Sequence, residues 1–437
     1  MNRLRRPLLS IVVLLVVLAV GLAVAWNLRT ASAVDFGRWR VIVLQSDDWG
    51  FEGWFPDRET ADALADLADG VPPALRAYAR SGLETAADVD TMRLRLARMR
   101  DADGLPLVLQ ANTILAGPTV AAAAAGDAPF GWPVHRAGSS NGRYGRPGLE
   151  AAVDRAIAAG VWWPELHGLT HFDLRAYARA RAADDPVAAR ARAFDVMAYE
   201  GWLRGTELAD GDPERARRVA EASVGTFRER FGRTPASVIA PDYRWGGEDE
   251  DAWWALGLQV VQAKREQVDD AVDPTDPVGR LRKAVSRWID QLRGRFVYLD
   301  RPARLEPYGD ASLDAPQGAR AAAAAVREAW ARGHPGIVSI HRVQWVSFDE
   351  HVGAAGWRHL EAMVEDLAAD GPVRCLVDVE LAQLHRRGWS WIERGPWTVL
   401  RNYTDGPVTP DDGPLAGRTF PVGTHVLDAA GGETTPR

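Results

Sequence analysis

Cysteine is almost missing from this chain. Cys375 is the one copy in 437 residues, so no intramolecular disulfide framework can hold the fold. It lies in the apolar stretch Arg374-Cys-Leu-Val-Asp378, where a buried, inert thiol is expected. A basic excess is missing too. Lys and Arg number 52 against 59 Asp and Glu, a net charge of −7, which leaves no electrostatic footprint for nucleic acid. There is no internal repeat, and beyond residue 30 no run looks long and apolar enough to span a bilayer. What is there suits a globular protein, and the length allows one domain of barrel size with an appendage. Tryptophan is plentiful, with 18 copies. The pairs Trp49/Trp54, Trp162/Trp163 and Trp253/Trp254 can offer stacking faces to sugar rings, although tryptophan also simply fills cores.

The N-terminus carries the one long apolar run. Arg3, Arg5 and Arg6 precede Leu8–Trp26, which is long enough to cross a bilayer as a helix. The arginines favour a cytoplasmic N-terminus and an exported body, periplasmic or at the cell surface. Ala31-Ser32-Ala33 has the small-x-small form of a cleavage site, so a secreted form cut after Ala33 is the rival to a retained anchor.

Beyond the anchor the chain alternates strand-like and helix-like segments. Val41–Leu44, Leu105–Leu109, Val161–Trp163, Ser237–Ala240, Leu258–Ala263, Phe296–Leu299, Gly336–Ile340 and Cys375–Val379 read as strands. Helical patterns lie between many of them, and one opens at Asp212-Pro213, a cap followed by a first-turn proline, and ends at Gly232. Alternation of this kind predicts an α/β fold, a deformed (β/α) barrel of seven or eight parallel strands. Gly117–Gly148, rich in Gly, Ala, Ser and Pro, reads as a long loop over the site, with a disordered excursion as the alternative. From Trp397 the chain turns β-like, with a polar tail at Gly431–Arg437. The expected organisation is 1–36 for tail, transmembrane helix and linker, 37–395 for the barrel, and 396–437 for a small C-terminal β appendage and disordered tail.

Chemistry concentrates at strand ends. Asp47 and Asp48 close one apolar run, and His167 and His171 stand four apart behind another. Two carboxylates and two imidazoles can hold one divalent metal and leave a carboxylate free as a base. Paired aspartates after a strand also serve as helix caps or turn formers. In parallel barrels the reacting groups sit at the C-terminal ends of strands. Asp47/Asp48, His167/His171, Pro241–Trp245 and His341 all fall there, so all can face one cup. Asp173, two residues past His171, can orient a ligand imidazole from behind.

The order of these motifs resembles the metal-dependent polysaccharide deacetylase family, carbohydrate esterases with the nodulation-type deacetylase homology domain. The carrying stretches are Val41-Ile-Val-Leu-Gln-Ser-Asp47-Asp48-Trp-Gly50, Glu165-Leu-His167-Gly-Leu-Thr170-His171, Phe231-Gly-Arg-Thr-Pro235 with Ser237–Tyr243, and Ile337-Val-Ser-Ile-His341. The likeness runs from about Arg40 to Ala382. It implies Asp47 as catalytic base, Asp48, His167 and His171 as metal ligands, and His341 as general acid. It also implies a substrate groove at Pro241, Asp242, Tyr243 and Trp245, with a backbone N–H near Asp242 or Tyr243 helping to hold the oxyanion. Two departures stand out. Ile239 occupies the place of the arginine that tunes the base, for which Arg244 is a substitute, and no aspartate-tryptophan motif lies between Tyr243 and His341.

These readings predict a membrane-anchored extracytoplasmic hydrolase that uses one divalent metal, zinc first and cobalt, nickel or iron next. It would remove acetyl groups from a cell-envelope or exopolysaccharide sugar. The expected partners are that polysaccharide or amino-sugar substrate and a membrane, with no nucleic acid. Three rivals stay open. A glycoside hydrolase would need Glu165 or Asp242 to join an aspartate, because adjacent Asp47 and Asp48 should diverge. A sulfatase would need a Cys/Ser-x-Pro-x-Arg setting, which is not found. A catalytically silent glycan-binding protein on the same fold would suit the missing tuning residues.

Overall fold

The computed structural model describes residues 32–52, 55–68, 78–118, 134–139, 142–196, 205–208, 211–268, 294–307 and 317–434. The arginines and apolar run at Arg3–Trp26, Trp54 and most of the Gly117–Gly148 stretch lie outside these residues. Among the described residues no helix is long and apolar enough to cross a membrane.

The strands are β1 (Val41–Trp49), β2 (Leu109–Thr113), β3 (Ala116–Pro118), β4 (Val134–Arg136), β5 (Trp162–Leu166), β6 (Ser237–Val238), β7 (Val260–Gln262), β8 (Val297–Leu299), β9 (Ala303–Arg304), β10 (Gly336–His341), β11 (Arg374–Cys375), β12 (Trp389–Arg394), β13 (Trp397–Asn402) and β14 (Gly423–Leu427). A nine-stranded parallel sheet runs β8-β7-β6-β5-β2-β1-β10-β9, with β11 paired to the start of β1. Its two ends are consecutive in the chain. Only residues 300–302 separate β8, paired with β7, from β9, paired with β10. Three residues cannot make a parallel crossover. Residues 297–304 therefore run on in one direction, as a bent stave that switches partners and joins the two edges of an α/β barrel.

Helices pack outside. Pro213–Phe231 starts where Asp212 accepts from the Glu214 and Arg215 amides, and it stops at Gly232 with φ +69°. The longest, Glu350–Ala369, lies near Gln317–Ala331. Along β1, Ile42 and Leu44 join the core between sheet and helices, while Val41 and Val43 face the barrel interior. That interior is apolar at its base, where Val260, Val297, Ile337, Leu376 and Leu381 meet. Gln45, Gln110, Asn112, Ser237 and Gln262, all fully buried, form a polar layer with Asp378. β12–β14 form a separate antiparallel sheet, which takes in Trp389–Arg394 ahead of the β-like stretch from Trp397.

The tryptophans divide. Trp49, Trp162 and Trp253 are buried in the core, and among the described members of these pairs only Trp254 is well exposed. Cys375 is fully buried, and burial pushes its thiol up to about 11, as expected of an inert group.

Candidate functional site

Asp47 and His341 occupy the same register position on the neighbouring strands β1 and β10. Strict alternation would point Asp48 away from Asp47. Instead the β1–β2 register shifts between Ser46 and Trp49, and Asp48 has φ +71°. This irregularity re-aims Asp48, so both carboxylates line one cavity of about 600 Å³. The expectation that adjacent aspartates diverge is thus corrected.

The left-handed conformation is costly for residues with a Cβ. Eight described non-glycine residues adopt it, and five of them, Asp48, His171, Asp242, Tyr243 and Ala263, line this cavity. Strain is concentrated where the chemistry is.

Asp48, His167 and His171 form the one cluster of metal-ligand type among the described residues. Their candidate donor atoms all lie within 4.8 Å of one another. His167 Nε2 is 3.2 Å and His171 Nε2 3.8 Å from Asp48 Oδ1. His167 Nδ1–H donates to the Ile239 carbonyl at 3.0 Å, which fixes the tautomer and leaves Nε2 as a donor atom. One carboxylate and two imidazoles of this kind fit a divalent cation of the zinc, cobalt, nickel or iron type. Burial opposes the charge on Asp48, but its contact with His167 and the field of the nearby histidines hold its pKa well below the ordinary range.

The loop carrying the histidines is tied down by Glu207. Its carboxylate accepts from the Leu169, Thr170 and His171 amides. Gly168 sits at φ +76°, and a Cβ there would meet Glu207 Oε1 at 2.5 Å. Glycine is required on both counts.

Asp47 is held differently. Arg301, from the bend between β8 and β9, donates to Asp47 Oδ2 at 2.6 Å and Oδ1 at 3.2 Å. Asn112 Nδ2 donates to Oδ1 at 2.7 Å. Burial alone would raise the Asp47 pKa, but Arg301, His167 and His341 outweigh it and lower the pKa. His341 turns Nε2 to within 3.7 Å of Asp47 and pairs through Nδ1 with Glu306. Burial again opposes the charge. Glu306 and the two aspartates prevail and raise the His341 pKa to about 9.

Arg301 and Glu306 answer the two departures noted in the sequence. Arg301, not Arg244, meets Asp47, and Glu306 pairs with His341. No motif announced either one, because Arg301 reaches the site from the unusual bend of residues 297–304 and Glu306 follows just behind it. Glu207, far from the histidines in sequence, also gave no signal.

The other expected residues divide. Asp242, Tyr243 and Arg244 line the cavity. Trp245 does not. It is fully buried in the core and donates its indole N–H to Glu250 at 2.8 Å. Pro241 is buried at the start of a short 3₁₀ turn and lies behind the wall. Asp173 does not stand behind His171 but caps helix Leu174–Ala182, accepting from the Ala176 amide at 2.8 Å. The Tyr243 amide already donates to the Ala240 carbonyl, so it is not free for an oxyanion. Glu165 is buried against the Ala236 and Ser237 amides, which removes it as a partner acid.

No protein-family model matches the chain, and no curated protein matches it. Solved structures it is similar to include family 4 carbohydrate esterases and polysaccharide deacetylases. One is the Xyl-CE4 domain of a multidomain xylanase from the hindgut metagenome of Trinervitermes trinervoides, at 10% identity over 82% of this chain and 93% of that one, TM-score 0.32. A second is a Mycobacterium smegmatis protein named as a polysaccharide deacetylase, at 14% identity over 80% and 90%, TM-score 0.38. A third is a family 4 acetyl xylan esterase from Clostridium thermocellum, in complex with a cobalt ion, at 11% identity over 79% and 91%, TM-score 0.32.

Proposed function

We propose that this chain is a metal-dependent hydrolase that removes acetyl groups from a sugar of the cell envelope or an exopolysaccharide. The observation that carries the reading is the meeting in one cavity of three differently prepared groups. These are a carboxylate held ionised by Arg301 and Asn112, a carboxylate–imidazole triad, and an imidazole kept protonated by Glu306.

A divalent cation bound by Asp48, His167 and His171 would supply Lewis acidity to the acetyl carbonyl and to the attacking water. The chain's own residues carry the protons. Asp47 takes one from the water as its oxygen bonds to the carbonyl carbon. His341, cationic with Nε2 facing Asp47, gives one to the departing nitrogen or oxygen as its bond to that carbon breaks. Acetate and the free amine or hydroxyl are the products. Tyr243 and Arg244 stand on the cavity wall where the sugar would lie.

The rival readings lose support at the same residues. A glycosidase needs a further acid beside an aspartate, and Glu165, although burial raises its pKa, is turned to the Ala236 and Ser237 amides and does not line the cavity. A silent binding protein was favoured by missing tuning groups, and Arg301 and Glu306 fill those roles. The extracytoplasmic setting is part of the proposal and rests on the Arg3–Trp26 sequence pattern. The test is acetate release from N- and O-acetylated glycans by metal-loaded protein. Release that disappears on chelation supports the reading, and none from any acetylated glycan opposes it.

A further inference from the structure

Beneath the site lies a buried carboxylate that the mechanism above does not use. Asp378 is fully buried at the start of helix Asp378–Arg387. Its Oδ1 accepts from Gln45 Nε2 at 2.6 Å, and its Oδ2 from Gln110 Nε2 at 2.7 Å and Ser237 Oγ at 2.6 Å. Its own amide donates to Gln110 Oε1 at 2.8 Å. A backbone N–H can only donate, so the Gln110 oxygen must face it and the Gln110 nitrogen must face the carboxylate.

The remaining polarity follows link by link. Burial raises the pKa of Asp378, against the lowering effect of the Ser237, Gln110 and Gln45 bonds. With every other contact on its oxygens a donor, the Ser237 hydroxyl donates to it as well. Ser237 Oγ is then left to accept, and Gln262 Nε2 donates to it at 2.7 Å. Gln262 and Asn112 form a reciprocal amide pair, Gln262 Nε2 to Asn112 Oδ1 at 3.0 Å and Asn112 Nδ2 to Gln262 Oε1 at 3.1 Å. With the Gln262 nitrogen fixed by Ser237, Asn112 must turn its nitrogen, not its oxygen, toward Asp47. The reverse orientation would set a carbonyl oxygen against a carboxylate. Gln110 Nε2, 3.4 Å from Asn112 Oδ1, supports the same orientation.

We propose that Asp378 is a positioning residue for Asp47, setting through Ser237, Gln262 and Asn112 the direction of the hydrogen bond that Asp47 receives. The catalytic part of this inference rests on the hydrolase reading. An uncharged group at 378 can donate as well as accept. It frees Ser237, and with it the constraint passed through Gln262 to Asn112, so the Asn112 bond to Asp47 is held only by Gln110 and by Asp47 itself. The network is closed to solvent at every member, so water cannot repair a reversed link.

The experiment uses the full chain and two variants, Asp378→Asn and Ser237→Ala. With asparagine labelled by ¹⁵N, the Asn112 side-chain amide is identified by its loss in Asn112→Asp. In Asp378→Asn that resonance is expected to move and its protons to exchange faster. Acetate-release kcat is expected to fall about tenfold with KM within about twofold. Ser237→Ala should act in the same direction, less strongly, and decides the matter if Asp378→Asn does not fold. An unmoved Asn112 amide in a folded variant overturns the inference, as does a loss confined to KM. A wild-type protein that releases no acetate sinks the proposed function alone, because the amide resonance still decides the role of Asp378.

Discussion

Arg301 reaches Asp47 from the bend that joins the two edges of the barrel and grips both carboxylate oxygens. Both side chains are 2% exposed, so the pair is fully desolvated and each charge depends on the other. Arg301→Met is expected to leave a buried carboxylate without its cation, destabilising the fold by about 3–5 kcal/mol. It should also raise the pKa of Asp47. The acid limb of the kcat/KM profile would then move to higher pH, because the base is protonated over a wider range. Arg301→Lys should recover part of the charge effect but lose the two-point grip. A pH profile with an unmoved acid limb in Arg301→Met would refute the role.

His341 gives a prediction of opposite sign. Its pKa, raised to about 9 by Glu306 against the effect of burial, keeps it a proton donor through neutral pH. Activity should be retained up to that region and fall above it, as the imidazole loses its proton. Glu306→Gln removes the raising charge, so the alkaline limb should shift downward, toward the ordinary histidine range near 6.5. An alkaline limb unchanged in Glu306→Gln would assign that limb to another group.

The backbone cradle under the histidines can be tested without substrate. Gly168→Ala must hold φ near +76° with a Cβ 2.5 Å from Glu207. It is expected to lower Tm and to weaken zinc binding about tenfold or more, because the His171 amide loses its fixed partner. Titration of stripped protein with zinc, followed by calorimetry, reads both effects. Unchanged affinity would show that the loop does not set the triad.

Trp245 and Tyr243 should separate cleanly. Trp245→Phe removes the indole N–H from buried Glu250 and should cost about 1–3 kcal/mol of stability, with KM unchanged. Tyr243→Ala, on the cavity wall, should raise KM with a smaller effect on stability. Thermal unfolding and steady-state kinetics on both variants check the pair. A KM effect for Trp245→Phe would return that residue to the groove.

Local pattern was enough for the barrel class and for the residues that form the centre of the site. Short apolar runs alternating with helical patterns marked most strands, and Asp212-Pro213 and Gly232 marked one helix at both ends. Strand-end placement then brought Asp47, Asp48, His167, His171 and His341 together. What was not legible depends on long-range geometry. The two-residue β9 is too short to show a period, so the bend that carries Arg301 and leads into Glu306 was invisible. The irregularity at Asp48 has no composition signal, which is why the two aspartates were expected to diverge. Trp245 looked like a groove residue because it follows a motif, yet its indole is buried against Glu250. Asp173 looked like a ligand partner because it is close in sequence, yet it caps a helix.

The most direct measurement is acetate released from acetylated oligosaccharides by the full chain, first stripped of metal and then given one equivalent of zinc. The account predicts little release when stripped, restored release with zinc, and none in His167→Ala/His171→Ala or Asp47→Asn under the same conditions. Zinc-loaded, folded wild-type protein that frees no acetate from either N- or O-acetylated sugars would contradict it.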